Sequence, residues 1–147
     1  MKQQIKELSL NEVSEVFEIE QACHLFPMSL ANVESCFGRF YRVVGFFEDN
    51  QLFGFAILHQ LFEDATLMDI CVHPTKQGKG IGQALMQTII DIAATEGAER
   101  IMLEVRISSQ RAIELYRHFG FEQTGIREAY YKLEQGKEDA VLMQRLL

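Results

Sequence analysis

Three glycines at alternate positions, Gly78, Gly80 and Gly82, form the stretch whose spacing most clearly suggests chemistry. Glycine permits backbone conformations in which N–H groups turn inward and approach a ligand closely. Apolar residues at helical spacing begin at Ile81, so the loop opens a helix whose N-terminus carries unpaired N–H donors and partial positive charge. We therefore predict an anion site suited to a pyrophosphate, with added charge from Lys79. The alternative is a glycine-rich turn that only begins a helix.

The same spacing excludes two common nucleotide-binding motifs. A P-loop ends in Gly-Lys-Ser/Thr, and the dinucleotide fingerprint has the spacing Gly-x-Gly-x-x-Gly. The segment at residues 77–82, Gln-Gly-Lys-Gly-Ile-Gly, has neither feature. A pyrophosphate bound here must therefore be held by a different kind of loop.

The elements around this loop follow from hydrophobic periodicity and from the residues that end helices. A strand-like apolar run over residues 66–72 precedes the loop, and the helix runs from about residue 80 to residue 96, ending before Gly97. A buried strand follows over residues 100–105. Strand, helix and strand in this order predict a parallel crossover.

The remaining segments complete a mixed sheet. The predicted order is βααβββαβαββ, which indicates one domain over residues 1–147 of the α/β (mixed α+β) class, with a mixed, mostly antiparallel sheet and helices on both faces. Ser9 and Glu12 have the spacing of a capping box at the first helix. The further elements are strands over residues 5–8, 41–47, 52–59, 121–126 and 140–146, helices over residues 9–22, 29–37 and 110–119, and a polar link over residues 127–139.

Composition and charge limit the classes of function. A length of 147 residues and a hydrophobic content of 48% are those of one globular domain, and no apolar run reaches the length of a membrane span. The N-terminus has no apolar signal-peptide core, so we predict a cytoplasmic protein. A formal net charge of −7 argues against direct nucleic-acid binding, and it is compatible with a basic partner or simply with solubility.

Cysteine and histidine positions predict no metal centre. The three cysteines, Cys23, Cys36 and Cys71, include no Cys-x-x-Cys pair, and the four histidines are scattered without metal-ligand spacing. An odd number of cysteines also argues against a disulfide framework. Each cysteine lies among apolar residues, which favours a buried structural role.

Two longer segments resemble the GNAT family of N-acetyltransferases. Residues 77–82 resemble the family's Gln/Arg-x-x-Gly-x-Gly/Ala loop, which holds the pyrophosphate of acetyl-CoA, and residues 112–121 resemble its Ala-x-x-Leu-Tyr-x-x-x-Gly-Phe segment. Shorter segments resemble one branch of the family, the bacterial ribosomal-protein alanine N-acetyltransferases of the RimI type. These segments are residues 19–21, 26–27, 64–67 and 130–131.

The resemblance implies the GNAT fold and an enzyme that uses acetyl-CoA as co-substrate, without a metal. Its implied acceptor is the N-terminal α-amine, an alanine, of a ribosomal protein, which attacks the thioester directly in a ternary complex. No direct nucleic-acid or membrane partner is expected. Two alternatives stay open: a GNAT enzyme that acetylates a small-molecule amine or a lysine side chain, and a CoA-binding module without turnover. The presence of both Glu104 and Tyr116 argues against the module.

Residue roles are likewise carried over from the resemblance. Glu104 corresponds to the proton acceptor of the branch and Tyr116 to its proton donor, and a backbone N–H near Val72 is a candidate oxyanion donor. The residues implied to bind the coenzyme are Ile70, Cys71, Val72, Gln77, Gly78, Lys79, Gly80, Ile81, Gly82, Gln83 and Ser109. The residues implied on the acceptor side are Phe26, Met28, Tyr130 and Tyr131, and the equal alternative for them is packing within strands and loops.

Three of these positions have a plainer reading or depart from the branch. Glu104 can instead be a strand-end carboxylate paired with Arg100 or Arg106. Tyr116 can be an ordinary aromatic residue of the core. Ser109 stands where the branch usually has Asn, and serine is shorter and lacks the amide donor.

Overall fold

The computed structural model describes residues 2–147, and its strands form one seven-stranded sheet. The strands are β1 (Gln3–Glu7), β2 (Tyr41–Glu48), β3 (Gln51–Leu61), β4 (Asp64–Val72), β5 (Arg100–Arg106), β6 (Glu122–Lys132) and β7 (Lys137–Leu146). Their order across the sheet is β1-β2-β3-β4-β5-β7-β6. Neighbouring strands are antiparallel except β4 and β5, which are parallel. The predicted parallel crossover in a mostly antiparallel sheet is therefore confirmed.

Four α-helices connect these strands within the described part of the chain. They are α1 (Val13–Cys23), α2 (Leu30–Ser35), α3 (Ile81–Thr95) and α4 (Gln110–His118). Short turns of 3-10 helix at Leu10–Glu12 and Pro74–Lys76 precede α1 and α3. The observed order agrees with the predicted βααβββαβαββ order.

Each face of the sheet carries its own hydrophobic cluster. On one face, α3 and α4 contribute buried residues such as Leu85, Ile89 and Ile113. On the other face, α1 and α2 contribute residues such as Val16 and Val33. Side chains alternate between the faces along a strand, and β2, β3 and β4 supply residues to both clusters. Helices therefore cover both faces, as predicted.

The parallel strands β4 and β5 pair over only three residues each. Their pairing begins at Asp64 and ends at Thr66 in β4, and no further pair between them occurs in residues 2–147. A bulge at Met68 follows in the pairing of β4 with β3. A bulge bends its strand and shifts which side chains point to each face. The carboxyl ends of β4 and β5 therefore leave an opening in the sheet.

The prediction of a polar link over residues 127–139 is wrong. Strand β6 continues to Lys132 and pairs with β7 again at Tyr131 after an irregularity, where Ala129 has a φ of +48°. Because β6 is an edge strand with mostly exposed side chains, it lacks the apolar alternation by which a strand is recognised. Within residues 2–147, no helix is both long enough and apolar enough to cross a membrane.

Candidate active site

The glycine loop has the backbone conformation that its sequence predicts. Gly78 and Gly80 have φ values of +78° and +82°, in the left-handed region that disfavours other residues. Gly80 is the N-cap of α3, and no side chain caps this end of the helix. A Cβ atom built on Gly78 or Gly80 meets nothing within 4 Å. The loop therefore presents the N–H groups of the first turn of α3 to open space.

A cleft of about 640 Å³ lies against this loop. Its volume falls within the range of about 300–1,000 Å³ that is usual for small-molecule sites. The walls come from the end of β4, the glycine loop, the start of α3 and one side of α4. Of the residues implied to bind the coenzyme, the cleft is lined by Ile70, Val72, Gln77, Gly78, Gly80, Ile81, Gly82 and Gln83.

Three residues implied to bind the coenzyme lie outside the cleft walls. The Cys71 side chain belongs to the cluster under α1 and α2, because alternation along β4 turns it away from α3. Lys79 is exposed beside the loop. Ser109 is the N-cap of α4, but its side chain makes no capping hydrogen bond there. Burial raises the pKa of the Cys71 thiol well above its ordinary value, which disfavours this thiol as an acetyl acceptor.

Helix α4 supplies wall residues that the sequence did not identify. Arg111, Leu115 and His118 lie along the cleft, together with Ala112 and Glu114. The spacing i, i+4 and i+7 of the first three marks one face of a helix. This spacing next to Tyr116 is the sequence feature from which these wall residues could have been predicted. Lys76 also lines the cleft.

The unpaired edge of β4 offers backbone groups to the opening. His73 N–H donates to the carbonyl of Phe53 on β3 at 2.7 Å. In an antiparallel ladder, consecutive residues point their N–H groups to opposite sides. The N–H and carbonyl of Val72 therefore point away from β3, and the carbonyl accepts hydrogen bonds from Cys23 Sγ at 3.1 Å and Gln77 Nε2 at 3.0 Å. The oxyanion role of the Val72 N–H stays a prediction.

Tyr116 combines a buried ring with a place in the cleft wall. The residue is 7% exposed, and its ring centroid lies 6.0 Å from that of Phe121. Burial raises the pKa of the Tyr116 phenol well above its ordinary value. The hydroxyl therefore stays protonated near neutral pH and can act as a hydrogen-bond donor.

Glu104 lies on the other face of the sheet from α3 and α4. Leu103 and Val105 are buried in the cluster under these helices, so alternation directs Glu104 to the opposite side of β5. Its side chain is 31% exposed, and Oε1 lies 3.1 Å from Arg127 Nη2. The alternative pairing with Arg100 or Arg106 is wrong.

Aromatic residues implied on the acceptor side meet around Arg106. Its guanidinium carbon lies 4.7 Å from the ring centroid of Tyr131 and 5.6 Å from that of Phe26. The rings of Tyr130 and Tyr131 pack edge to face with centroids 4.9 Å apart. Burial raises the pKa of Tyr131 to about 12. Met28 is not brought to this group, because it packs against the cluster under α1 and α2.

Comparison with known proteins identifies the family of this chain. The sequence model of the GNAT acetyltransferase family matches residues 11–121, which is more than half of the chain. The chain belongs to the GNAT family of acetyltransferases. The family predicted from the glycine loop and the tyrosine segment is therefore confirmed. GNAT enzymes use acetyl-CoA, in agreement with the predicted co-substrate.

Several GNAT relatives are similar to this chain over nearly its whole length. The ribosomal protein bS18-alanine N-acetyltransferase of Salmonella typhimurium is 37% identical over 136 residues, 92% of each chain. The enzyme of the same name from Escherichia coli K12 is 35% identical over 139 residues, 95% of this chain and 94% of its own. Both relatives are N-acetyltransferases, as the resemblance implied for this chain.

Solved structures of GNAT proteins have the same fold. The crystal structure of the ribosomal-protein-S18-alanine N-acetyltransferase from Escherichia coli aligns with a TM-score of 0.94 at 34% identity, over 97% of this chain and 92% of that chain. A structure from Salmonella typhimurium with acetyl-CoA aligns with a TM-score of 0.85 at 20% identity, over 100% of this chain and 95% of that chain. At that lower identity, the alignment shows the fold alone.

Proposed function

We propose that this chain transfers the acetyl group of acetyl-CoA to the N-terminal alanine of ribosomal protein bS18. The observation that carries this proposal is the identity of 35–37% with two enzymes of that activity, over at least 92% of the chain. The cleft supports this proposal. Its walls carry the backbone N–H groups of the glycine loop and the buried phenol of Tyr116, and it lies beside the opening in the sheet, with Glu104 on the other face.

Acetyl-CoA fits the cleft by the chemistry of its walls. The uncapped start of α3 and the open space at Gly78 and Gly80 suit a pyrophosphate held by backbone donors. We assign this contact to residues 77–83. The unpaired backbone of β4 at Ile70 is the corresponding partner for the amide groups of the pantetheine arm, because strand edges carry free N–H and carbonyl groups. The Val72 N–H is then left for the acetyl carbonyl, because the Val72 carbonyl already accepts hydrogen bonds from Cys23 and Gln77.

The chain's own groups then serve the transfer. Bound acetyl-CoA supplies a thioester carbonyl, which the acceptor nitrogen attacks directly. Glu104 accepts a proton from the amine, directly or through water, and the Val72 N–H donates to the carbonyl oxygen as negative charge develops there. The Tyr116 hydroxyl donates to the sulfur as the carbon–sulfur bond breaks. Because an alkyl thiol has a reference pKa of about 8.5, below that of the phenol, this tyrosine acts chiefly by hydrogen bonding.

An α-amine is the acceptor best matched to a single carboxylate base. Its reference pKa of about 7.7–8.0 leaves roughly one amine in seven neutral at pH 7, against about one lysine in 2,500 at a pKa of about 10.4. Reaching the reactive form therefore costs a lysine about 3.5 kcal/mol more. The chain's formal net charge of −7 also favours an acceptor rich in basic residues.

The test uses two peptides with the N-terminal sequence of bS18 and the same internal lysines. One peptide has a free N-terminal alanine, and in the other this alanine is formylated. We expect mass spectrometry to find acetylation only on the first. Equal acetylation of both would refute the α-amine assignment and favour a lysine or small-amine acceptor. CoA binding without thiol release from acetyl-CoA with either peptide would favour a module without turnover.

A further inference from the structure

Four side chains converge where the end of α1 meets β4, on the side of the sheet away from the cleft. Glu20 lies in α1, His24 directly follows this helix, and Asp69 and Cys71 lie in β4. One potential ligand atom from each lies within 4.8 Å of all the others. An imidazole, a thiol and two carboxyl groups are the side-chain types that bind zinc in proteins.

Five of the six distances between these atoms are near those expected for a tetrahedron around one ion. His24 Nε2 lies 3.1 Å from Cys71 Sγ, 3.2 Å from Asp69 Oδ1 and 3.7 Å from Glu20 Oε1. Cys71 Sγ lies 3.4 Å from Asp69 Oδ1 and 3.6 Å from Glu20 Oε1. A tetrahedral zinc ion with bonds of about 2.0–2.3 Å separates its ligand atoms by about 3.4–3.6 Å. All five contacts lie close to that spacing.

The contacts of His24 do not fit a proton relay. In a nucleophile–histidine–carboxylate relay, one ring nitrogen faces the nucleophile and the other faces the carboxylate. Here Cys71, Asp69 and Glu20 all approach the same nitrogen, Nε2. That nitrogen carries one proton at most. Three groups converging on one nitrogen fit ligands that share an ion.

Burial and a backbone contact hold the ligands in place. Glu20 is 2% exposed, and its second oxygen, Oε2, accepts a hydrogen bond from Met28 N–H at 2.9 Å, which leaves Oε1 toward the cluster. Cys71 is 3% exposed. Buried carboxylates are paired or coordinate a metal, and a divalent cation would compensate the charges of Glu20 and Asp69 at once. The His24 side chain is 40% exposed, so an ion can enter from that side.

We propose that Glu20, His24, Asp69 and Cys71 bind one Zn²⁺ ion in a closed, four-coordinate site. Four protein ligands are typical of structural zinc, whereas catalytic zinc keeps a position open for water. The ion ties the end of α1 to β4, the strand whose opposite face lines the cleft. Spacing along the chain predicts no metal centre here, because 45 residues separate His24 from Asp69 and only the fold brings the two pairs together.

The test is zinc binding by the purified full-length chain. Bound metal is removed from the chain with a chelator, and the chelator is then removed. The metal-free chain is titrated with Zn²⁺ in the presence of a chromogenic chelator that competes for the ion. We expect one zinc ion per chain and a rise in the unfolding temperature. With Co²⁺ as a spectroscopic probe, we expect intense tetrahedral d–d bands and a thiolate-to-cobalt charge-transfer band.

Matched variants assign the binding to this cluster. Cys71→Ala and His24→Ala should each weaken zinc binding by more than about 100-fold, since even outer-shell partners contribute about 10–100-fold. Cys36→Ala removes another buried cysteine outside the cluster and should bind zinc like the unmodified chain. The exposed position of His24 keeps its variant informative if Cys71→Ala does not fold. The proposal is overturned by a lack of saturable zinc binding, by a cobalt complex without the thiolate band, or by equal affinities of His24→Ala and Cys36→Ala.

Discussion

Replacing Gly80 by alanine tests two roles of the glycine loop, its backbone conformation and its binding of CoA, by two separate measurements. Gly80 has a φ of +82°, and a Cβ atom there meets no protein atom within 4 Å. The cost to folding is therefore conformational, about 1–2 kcal/mol for a left-handed non-glycine residue. At roughly 2–4 °C per kcal/mol for a chain of this size, the unfolding temperature should fall by about 2–8 °C. The methyl group also projects into the cleft, where it should cost one charge-assisted hydrogen bond to phosphate, about 1.5–3 kcal/mol. CoA affinity should then fall about 10- to 100-fold.

Gly97 provides the matched control at the other end of α3. It has a φ of +85°, and a Cβ atom there likewise meets nothing within 4 Å. Gly97→Ala should lower the unfolding temperature by a similar amount but leave CoA affinity unchanged, because this glycine lies outside the cleft. Thermal unfolding and isothermal titration calorimetry with CoA measure the two effects. Equal CoA affinities of Gly80→Ala and Gly97→Ala would refute the assignment of the pyrophosphate to this loop.

Three further substitutions test the chemistry and the local structure. Tyr116→Phe keeps the ring packing, so its unfolding temperature should hardly change while kcat falls by about 10²-fold or more; an unchanged kcat would leave only the packing role. Glu104→Gln should lose most activity at pH 7 and recover part of it as the pH rises, because the amine then loses its proton without a base. A loss of equal size at every pH would contradict the role of Glu104 as the proton acceptor. Ser9→Ala removes the capping box that Ser9 forms with Glu12 and should lower the free energy of unfolding by about 1 kcal/mol in a urea titration, with kcat unchanged. A lower kcat would instead link this cap to the active site.

Local patterns were sufficient for the order of elements and for the glycine loop. The capping box at Ser9 and the end of α3 before Gly97 depend on contacts or conformations within a few residues, and both occur as predicted. The hairpin between β2 and β3 is of the same kind, because Asp49 and Asn50 have the positive φ values of a two-residue turn. Such features are encoded locally, so a single sequence reveals them. The edge strand β6 was missed beyond residue 126 because its exposed polar residues carry no periodic signal.

The sequence by itself thus determined the element order and the glycine loop at the start of α3. Tertiary structure alone decided the partners across the sheet. Glu104 of β5 pairs with Arg127 of β6, although β7 lies between the two strands. Only the strand order places these two side chains on the same face and within reach of each other. Two other features likewise depend on the tertiary structure. They are the early end of the β4–β5 pairing, which opens the sheet, and the contact of His24 with Asp69. The physical reason is that periodicity states which face a side chain occupies, whereas its neighbour on that face depends on strand order and register between segments far apart in the chain.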